Sequence, residues 1–213
     1  MIDKKMAKMY GEKKQMRFPD PTEELILTIL SQNTNDLNRD RAFASLNSEF
    51  SGWADIANAR SSSIAGAIKV GGLANIKAKR IKRILIQIGE RAEDYSISFI
   101  KKMADNEAWK YLMSFDGVGP KTASCVMMFS LGRDFMPVDT HVYRVSKRLG
   151  LFPANMTAEK AHDWYRKMKP PVDIYQFHLN LIQHGRTLCR PAKPKCSECG
   201  LIRHCVYHHE NWK

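Results

Sequence analysis

Two stretches carry residue types that could do chemistry. The first is Leu112-Met113-Ser114-Phe115-Asp116-Gly117-Val118-Gly119-Pro120-Lys121-Thr122-Ala123, and the second is Pro137-Val138-Asp139-Thr140-His141. In the first, a helical run over 107–113 stops at two glycines. A new helix then opens with Pro120 at its first position, where a missing N–H is harmless. Glycines in the hairpin between the helices can take φ > 0 and admit another backbone at close range. The first turn of the second helix offers free N–H groups and the positive end of its dipole. That suits a phosphate oxygen and grips a nucleic-acid backbone without reading bases. Lys121 stands in this turn, where the dipole disfavours its charge, so its pKa is expected to fall. An amine nucleophile needs that direction, because only the neutral form attacks. An unperturbed lysine, with a pKa of roughly 10.4, is under ~0.1% neutral at pH 7. Asp139 falls at the N-cap position of the run from Thr140 to Leu149, which Gly150 closes. Capping favours the carboxylate, so Asp139 suits a cationic sugar centre better than it suits proton donation. A lysine and an aspartate bracketing a phosphate-gripping hairpin point to chemistry on a nucleotide sugar. A lysine at a helix start is also an ordinary phosphate contact.

A second constellation is Cys189-x6-Cys196-x2-Cys199-x5-Cys205, beside Pro191 and Pro194. Four thiols within so short a stretch can surround one metal centre. No secretion signal opens the chain, which argues against disulfides. Zinc sites built from four thiolates usually use two close pairs, whereas only Cys196 and Cys199 form one here. Ligand chemistry alone leaves zinc and an iron–sulfur cluster both open. Cys125, the fifth cysteine, reads as a small core residue.

The elements that must position these groups are helical. Asp20-Pro21-Thr22-Glu23 reads as a capped helix start, followed by the apolar stripe Leu25, Ile26, Ile29 and Leu30. Further helices are expected from about Leu37, over 53–59 and 62–68, and over 75–88 with Ala78, Ile81, Leu85 and Ile88 as its seam. Beyond the hairpin they are expected over 157–169 and 173–188, while 90–106 is ambiguous. His178 and His184, in the last run, read as hydrogen-bonded core residues. No run alternates with period two, so the fold class is all-α.

Length allows one large domain or two small ones, and no apolar run approaches the ~20 residues of a membrane span. The formal net charge is +12, from 34 basic and 22 acidic residues. The excess gathers in three runs: Lys4 to Arg17; Lys77, Lys79, Arg80, Lys82 and Arg83; and Arg186 to Arg203. Any one run is commonly a solvated face, but three beside a hairpin favour a polyanion as partner.

On these residues the chain resembles the endonuclease III family of helix-hairpin-helix DNA glycosylases. The resemblance lies in Leu112 to Ala123, in Val138-Asp139-Thr140-His141, and in the cysteine spacing, which is that of the family's [4Fe-4S] loop. It implies a helix-hairpin-helix glycosylase fold of two helical domains with a groove between them. The domains would be a six-helix unit at 21–134 and a cluster domain of 1–20 plus 135–213. It implies a [4Fe-4S] cluster on Cys189, Cys196, Cys199 and Cys205, with zinc the lesser alternative. The cluster would pin Arg190, Lys193 and Lys195 as a basic edge for phosphates. Ser31-Gln32-Asn33-Thr34 matches the stretch whose glutamine enters the duplex, and Gly72-Leu73-Ala74-Asn75 the loop whose leucine acts as a wedge. Gln32, Leu73, Gly117, Gly119 and His141 would then contact DNA, with Lys121 and Asp139 catalytic. The implied activity is base excision from double-stranded DNA with strand nicking at the abasic site, and oxidised pyrimidines are the default substrate. The alternatives are a monofunctional mismatch glycosylase and a non-catalytic module for damaged DNA. The adenine-removing branch has a small hydroxyl residue where Lys121 stands and a glutamate where Thr28 falls. The branch acting opposite guanine has a tyrosine in place of the lysine. This chain fits neither. The expected state is a monomer in the cytoplasm, at the nucleoid, away from membranes.

Overall fold

The computed structural model describes residues 2–15, 18–168 and 170–211. Arg17 in the first basic run and Lys169 at an expected helix end lie outside them. Among the described residues there is no strand, and the all-α expectation holds. The α-helices are α1 (Ile2–Tyr10), α2 (Pro21–Leu30), α3 (Asp36–Glu49), α4 (Trp53–Asn58), α5 (Ser61–Ala67) and α6 (Ala74–Gly89). They continue as α7 (Asp105–Met113), α8 (Pro120–Cys125), α9 (Thr140–Arg148), α10 (Ala158–Met168), α11 (Ile174–Thr187) and α12 (Val206–Asn211). The chain divides into two compact units, Phe18–Leu131 and Met1–Arg17 with Gly132–Lys213.

In the Phe18–Leu131 unit, α2 starts where its capping residues require. One carboxylate oxygen of Asp20 accepts the amides of Thr22 at 2.8 Å and Glu23 at 3.3 Å. The other accepts the Ser98 hydroxyl at 2.7 Å. Leu25, Ile26, Ile29 and Leu30 are fully buried, as are Ile81, Ile84, Leu85 and Ile88 of α6. Each such side chain contributes roughly 1.5–3 kcal/mol by leaving water. The ambiguous stretch before α7 forms a short 3-10 turn at Ser98–Lys102. α8 runs on into a π-helical turn, Val126–Ser130, a widening often found beside functional sites.

The basic run on α6 differs from its expectation as an exposed cationic face. Lys77 is 1% exposed, and its ammonium donates to the carbonyls of Leu30 at 2.7 Å and Gly71 at 2.8 Å. It satisfies an orphan acceptor at the end of α2 and pins the turn before Leu73. Lys82 donates to the Ala59 carbonyl at 2.6 Å, and Arg83 pairs with Asp116 at 2.9 Å. A buried ammonium answering two carbonyls is an internal strut, so Lys77 adds nothing to a surface patch.

In the other unit, α11 packs on α1 and α9. The helical form of residues 2–10 was not foreseen; Met6 is its buried anchor. Phe152, Trp164 and Tyr165 meet edge to face, and the Ser146 and Tyr165 hydroxyls share a buried hydrogen bond of 2.8 Å.

Candidate functional site

The hairpin before α8 closes with the Val118 amide donating to the Phe115 carbonyl at 3.1 Å. Gly117 has φ +72°, and a Cβ there would collide with the Arg80 guanidinium. The positive φ favours glycine, and a side chain would have to displace Arg80. Gly119 differs: its φ is −96°, and a Cβ would meet nothing within 4 Å. It precedes α8 with no side chain capping the helix amides, so this end of the helix faces open space.

Arg80 is the hairpin's fixed post. Its Nη1 donates to Gln32 Oε1 at 2.7 Å, and Gln32 Nε2 donates to Thr122 Oγ1 at 3.5 Å. One guanidinium from α6 therefore supports Gly117 and orients Gln32 against the first turn of α8. Leu73 is 49% exposed and left-handed, with φ +51° and ψ 32°. That conformation costs a branched side chain roughly 1–2 kcal/mol and marks a constrained position. Val70 and Ile76, also exposed, flank it.

Lys121 is half-buried in the first turn of α8, with Cys125 one turn further on. Facing them from α2 are Glu24 and Thr28, also one turn apart. The Thr28 hydroxyl donates to Glu24 Oε1 at 3.0 Å, and both residues are buried. Burial pushes the Glu24 carboxyl up to about 7, against the Thr28 hydrogen bond and the charges of Lys121 and Arg39. Burial likewise pushes the Cys125 thiol up to about 11, opposed chiefly by the Lys121 charge. Cys125 is a core residue, as expected.

In the other unit, Asp139 caps α9: its Oδ1 accepts the Val142 amide at 2.7 Å while its backbone carbonyl accepts the Tyr143 amide at 2.9 Å. One helical turn along, Arg144 donates to the carbonyls of Cys189 at 3.0 Å and Gly185 at 2.9 Å, and its Nη2 lies 3.2 Å from His141 Nδ1. At the far end of α9, Arg148 donates to Cys189 Sγ at 3.4 Å and to the carbonyls of Arg190 at 2.7 Å and Pro191 at 2.9 Å. A single helix thus caps with Asp139 and clamps the cysteine loop.

Cys189, Cys196, Cys199 and Cys205 line one cavity, with about 340 Å³ of atom-free space, part of it open to solvent. All four are free thiols, without disulfides. Burial first, and then neighbouring cysteines, push the thiols of Cys196, Cys199 and Cys205 up. Gathering four thiolates here therefore requires a cationic centre. Among the described residues no group of three or more His, Cys, Asp or Glu side chains is disposed to hold a metal ion. Arg190, Lys193 and Lys195 are exposed on the loop, Lys193 with φ +50°, and Lys195 pairs with Glu198 at 3.4 Å.

Hence Gln32, Leu73, Gly117, Gly119 and Lys121 belong to one unit, and Asp139, His141, the basic loop and the cysteines to the other. Sequence reasoning missed Glu24, Arg80, Arg148 and His184 as parts of these sites. His184 lines the cysteine cavity, with Tyr10 Oη 2.7 Å from Nδ1 and Cys199 Sγ 3.8 Å from Nε2. Burial takes its pKa down to about 4, so it stands neutral. The available signal for Glu24 was an acid four residues before a threonine inside an apolar helix. Nothing in spacing alone gave Arg148 its partners.

Comparison with known proteins agrees with this arrangement. The family model for HhH-GPD superfamily base excision DNA repair proteins matches residues 26–171. Endonuclease III of Thermotoga maritima is 31% identical over 207 residues, 92% of this chain and 91% of that protein. Endonuclease III of Sulfolobus acidocaldarius is 31% identical over 191 residues, 89% of this chain and 83% of that protein. A relative from Arabidopsis thaliana is 41% identical over 189 residues, 84% of this chain, which spans 64% of that relative's length. Among solved structures, a non-covalent endonuclease III–DNA complex superposes with a TM-score of 0.81 at 25% identity, covering 98% of this chain and 94% of that one. A trapped endonuclease III–DNA covalent intermediate gives 0.82 at 25% identity, covering 99% and 95%. The chain belongs to the HhH-GPD superfamily of base excision DNA repair proteins and is, by family, an endonuclease III-type DNA glycosylase.

Proposed function

We propose that this protein excises oxidised pyrimidines from duplex DNA and nicks the strand at the resulting abasic site, with Lys121 as nucleophile and Asp139 as the carboxylate serving the sugar. The observation that carries this reading is the placement of Lys121 in the first turn of α8, directly behind the open Gly119 and the hairpin that Gly117 and Arg80 fix. An amine held beside a phosphate-gripping turn can meet a sugar carbon once a base is rotated out. Asp139 steadies positive charge on the deoxyribose as the glycosidic bond breaks, its electron pair leaving with the base. The Lys121 amine bonds to the anomeric carbon, the sugar ring opens to a Schiff base, and loss of a C2′ proton expels the 3′ phosphate. Leu73, exposed and conformationally fixed, enters the stack as the wedge, and Gln32, oriented by Arg80, faces the gap.

Cys189, Cys196, Cys199 and Cys205 hold a [4Fe-4S] cluster in this reading, supported by their common cavity and free thiols. The cluster supplies a rigid, charge-neutralising anchor for the loop that presents Arg190, Lys193 and Lys195 to phosphates. The units Phe18–Leu131 and Met1–Arg17 with Gly132–Lys213 serve as hairpin and cluster domains. The protein works as a monomer at the nucleoid.

A thymine-glycol duplex scored separately for base release and for nicking tests the activity. Borohydride with an abasic duplex should trap a covalent adduct that Lys121→Ala abolishes. Base release without nicking would leave a monofunctional glycosylase, and tight binding with neither would leave a damage-binding module. An adduct persisting in Lys121→Ala would end the assignment.

A further inference from the structure

The last turn of α1 leans on the cysteine loop, a contact that the chemistry of Lys121 and Asp139 leaves unused. His184, on α11 and 2% exposed, stands between the two. Its Nδ1 lies 2.7 Å from Tyr10 Oη, and its Nε2 lies 3.8 Å from Cys199 Sγ, within the longer reach of a hydrogen bond to sulfur. The Tyr10 and His184 rings meet edge to face, with centroids 5.9 Å apart. Met9 packs on the loop as well: a Cβ on Gly200, the residue after Cys199, would come within 3.2 Å of the Met9 sulfur. All of these residues belong to one unit of the structure.

We propose that His184 and Tyr10 are positioning residues for the cysteine centre: His184 donates its Nε2–H to the Cys199 thiolate, and the Tyr10 hydroxyl donates to Nδ1 and holds the ring in that tautomer. This rests on the reading of the four cysteines as ligands of a [4Fe-4S] cluster. The direction of both bonds follows from counting protons. A ligating Cys199 is a thiolate and can only accept, so Nε2 must carry a proton. A neutral imidazole has one N–H, which leaves Nδ1 an acceptor and makes the Tyr10 hydroxyl its donor. Between a free thiol and the ring either direction is open, and ligation leaves one.

A donor at the sulfur offsets part of the cost of holding a charged thiolate away from water. Cys189 Sγ already receives an N–H from Arg148 at 3.4 Å, so Cys199 is a second ligand supported in this way. Ligand-orienting partners of this kind govern how tightly a metal centre is kept, and hydrogen bonds to the sulfurs tune its potential. The helix of residues 2–10, anchored by Met6, thereby gains a role beyond packing: its last residue sets the tautomer at the sulfur.

The test compares the full chain as wild type, Tyr10→Phe, His184→Gln and His184→Leu, each purified without oxygen. Tyr10→Phe keeps the ring and its edge-to-face contact but loses the donor. His184→Gln offers an N–H near the place of Nε2, and His184→Leu offers none. Iron release to the ferrous chelator bathophenanthroline, with loss of the brown absorbance, should be about 10-fold faster in His184→Leu and several-fold faster in Tyr10→Phe. His184→Gln should stay close to wild type. The midpoint potential, measured by film voltammetry without DNA, should move to more negative values in the same order, because the lost N–H favoured the more negatively charged state. Where His184→Leu folds poorly, Tyr10→Phe carries the comparison. Release rates and potentials in Tyr10→Phe and His184→Leu equal to those of a brown wild type overturn this inference alone. A wild type that stays colourless after reconstitution with iron and sulfide overturns the cluster reading instead.

Discussion

Substituting Glu24 by glutamine should make the protein more stable at alkaline pH and leave its stability almost unchanged in acid. A rise in the carboxyl pKa from 4.5 to about 7, at ~1.4 kcal/mol for each tenfold, corresponds to roughly 3 kcal/mol. The sign follows from which form the fold accommodates. Burial favours the protonated acid, so its contribution is complete below pH 4.5 and is lost as pH climbs through about 7. Glutamine keeps the shape and an acceptor for the Thr28 hydroxyl but cannot ionise. The advantage of Glu24→Gln over wild type should therefore grow between pH 4.5 and 8 and then level off. For a chain of this size that is roughly 6–12 °C of melting temperature, at about 2–4 °C per kcal/mol. Thermal unfolding by circular dichroism at half-unit pH steps, holding ionic strength constant, gives the curve. Because the Lys121 charge pulls the Glu24 carboxyl down, Lys121→Ala should move the upper edge of the window to higher pH while the lower edge, set by the unfolded chain, stays in place. A melting difference that stays flat from pH 4.5 to 8.5 would refute the reasoning, since it would mean that Glu24 ionises in the folded protein as it does in the unfolded one.

Glycine substitutions separate folding from recognition at the hairpin: Gly117→Ala should lower the melting temperature sharply through its positive φ and the Arg80 clash. Gly119→Ala should melt like wild type yet bind duplex DNA at least several-fold more weakly in a fluorescence-anisotropy titration. Leu73→Gly should raise stability by about 1 kcal/mol in urea titration, by relieving left-handed strain, while slowing excision. Lys77→Met should cost about 3 kcal/mol by leaving the Leu30 and Gly71 carbonyls unanswered, without altering the salt dependence of DNA binding. Lys79→Ala, at an exposed site, should cut that salt slope by about one. Cys196→Ala should yield protein without the brown colour expected of a wild-type [4Fe-4S] protein, read from its visible absorbance.

Caps and breakers were legible in the sequence because their physics is local. Asp20, Asn35, Asp139 and Asp173 cap helices with their own side chains, and each can be recognised from its immediate neighbours. The hairpin glycines and the four-cysteine loop were legible for the same reason. What the sequence hid were partnerships between distant segments. Lys77 and Arg80 look like any other charges on a basic helix, and only the packing of α6 against α2 and the hairpin turns one into a strut and the other into a post. Glu24, beside the capping residues in the first turn of α2, is turned inward at α8. Residues 2–10 gave no clear helical signal because a single side chain, Met6, anchors them.

The arginines of α9 tie the cysteine loop to the capped start of that helix. Arg148 and Arg144 reach the cysteine loop from the same nine-residue rod whose first amides Asp139 ties down. Most of these contacts end on main-chain carbonyls rather than on sulfur, so what the rod holds in place is the path of the loop, and a shift of that path would reach the capped first turn of α9 along a single rigid element.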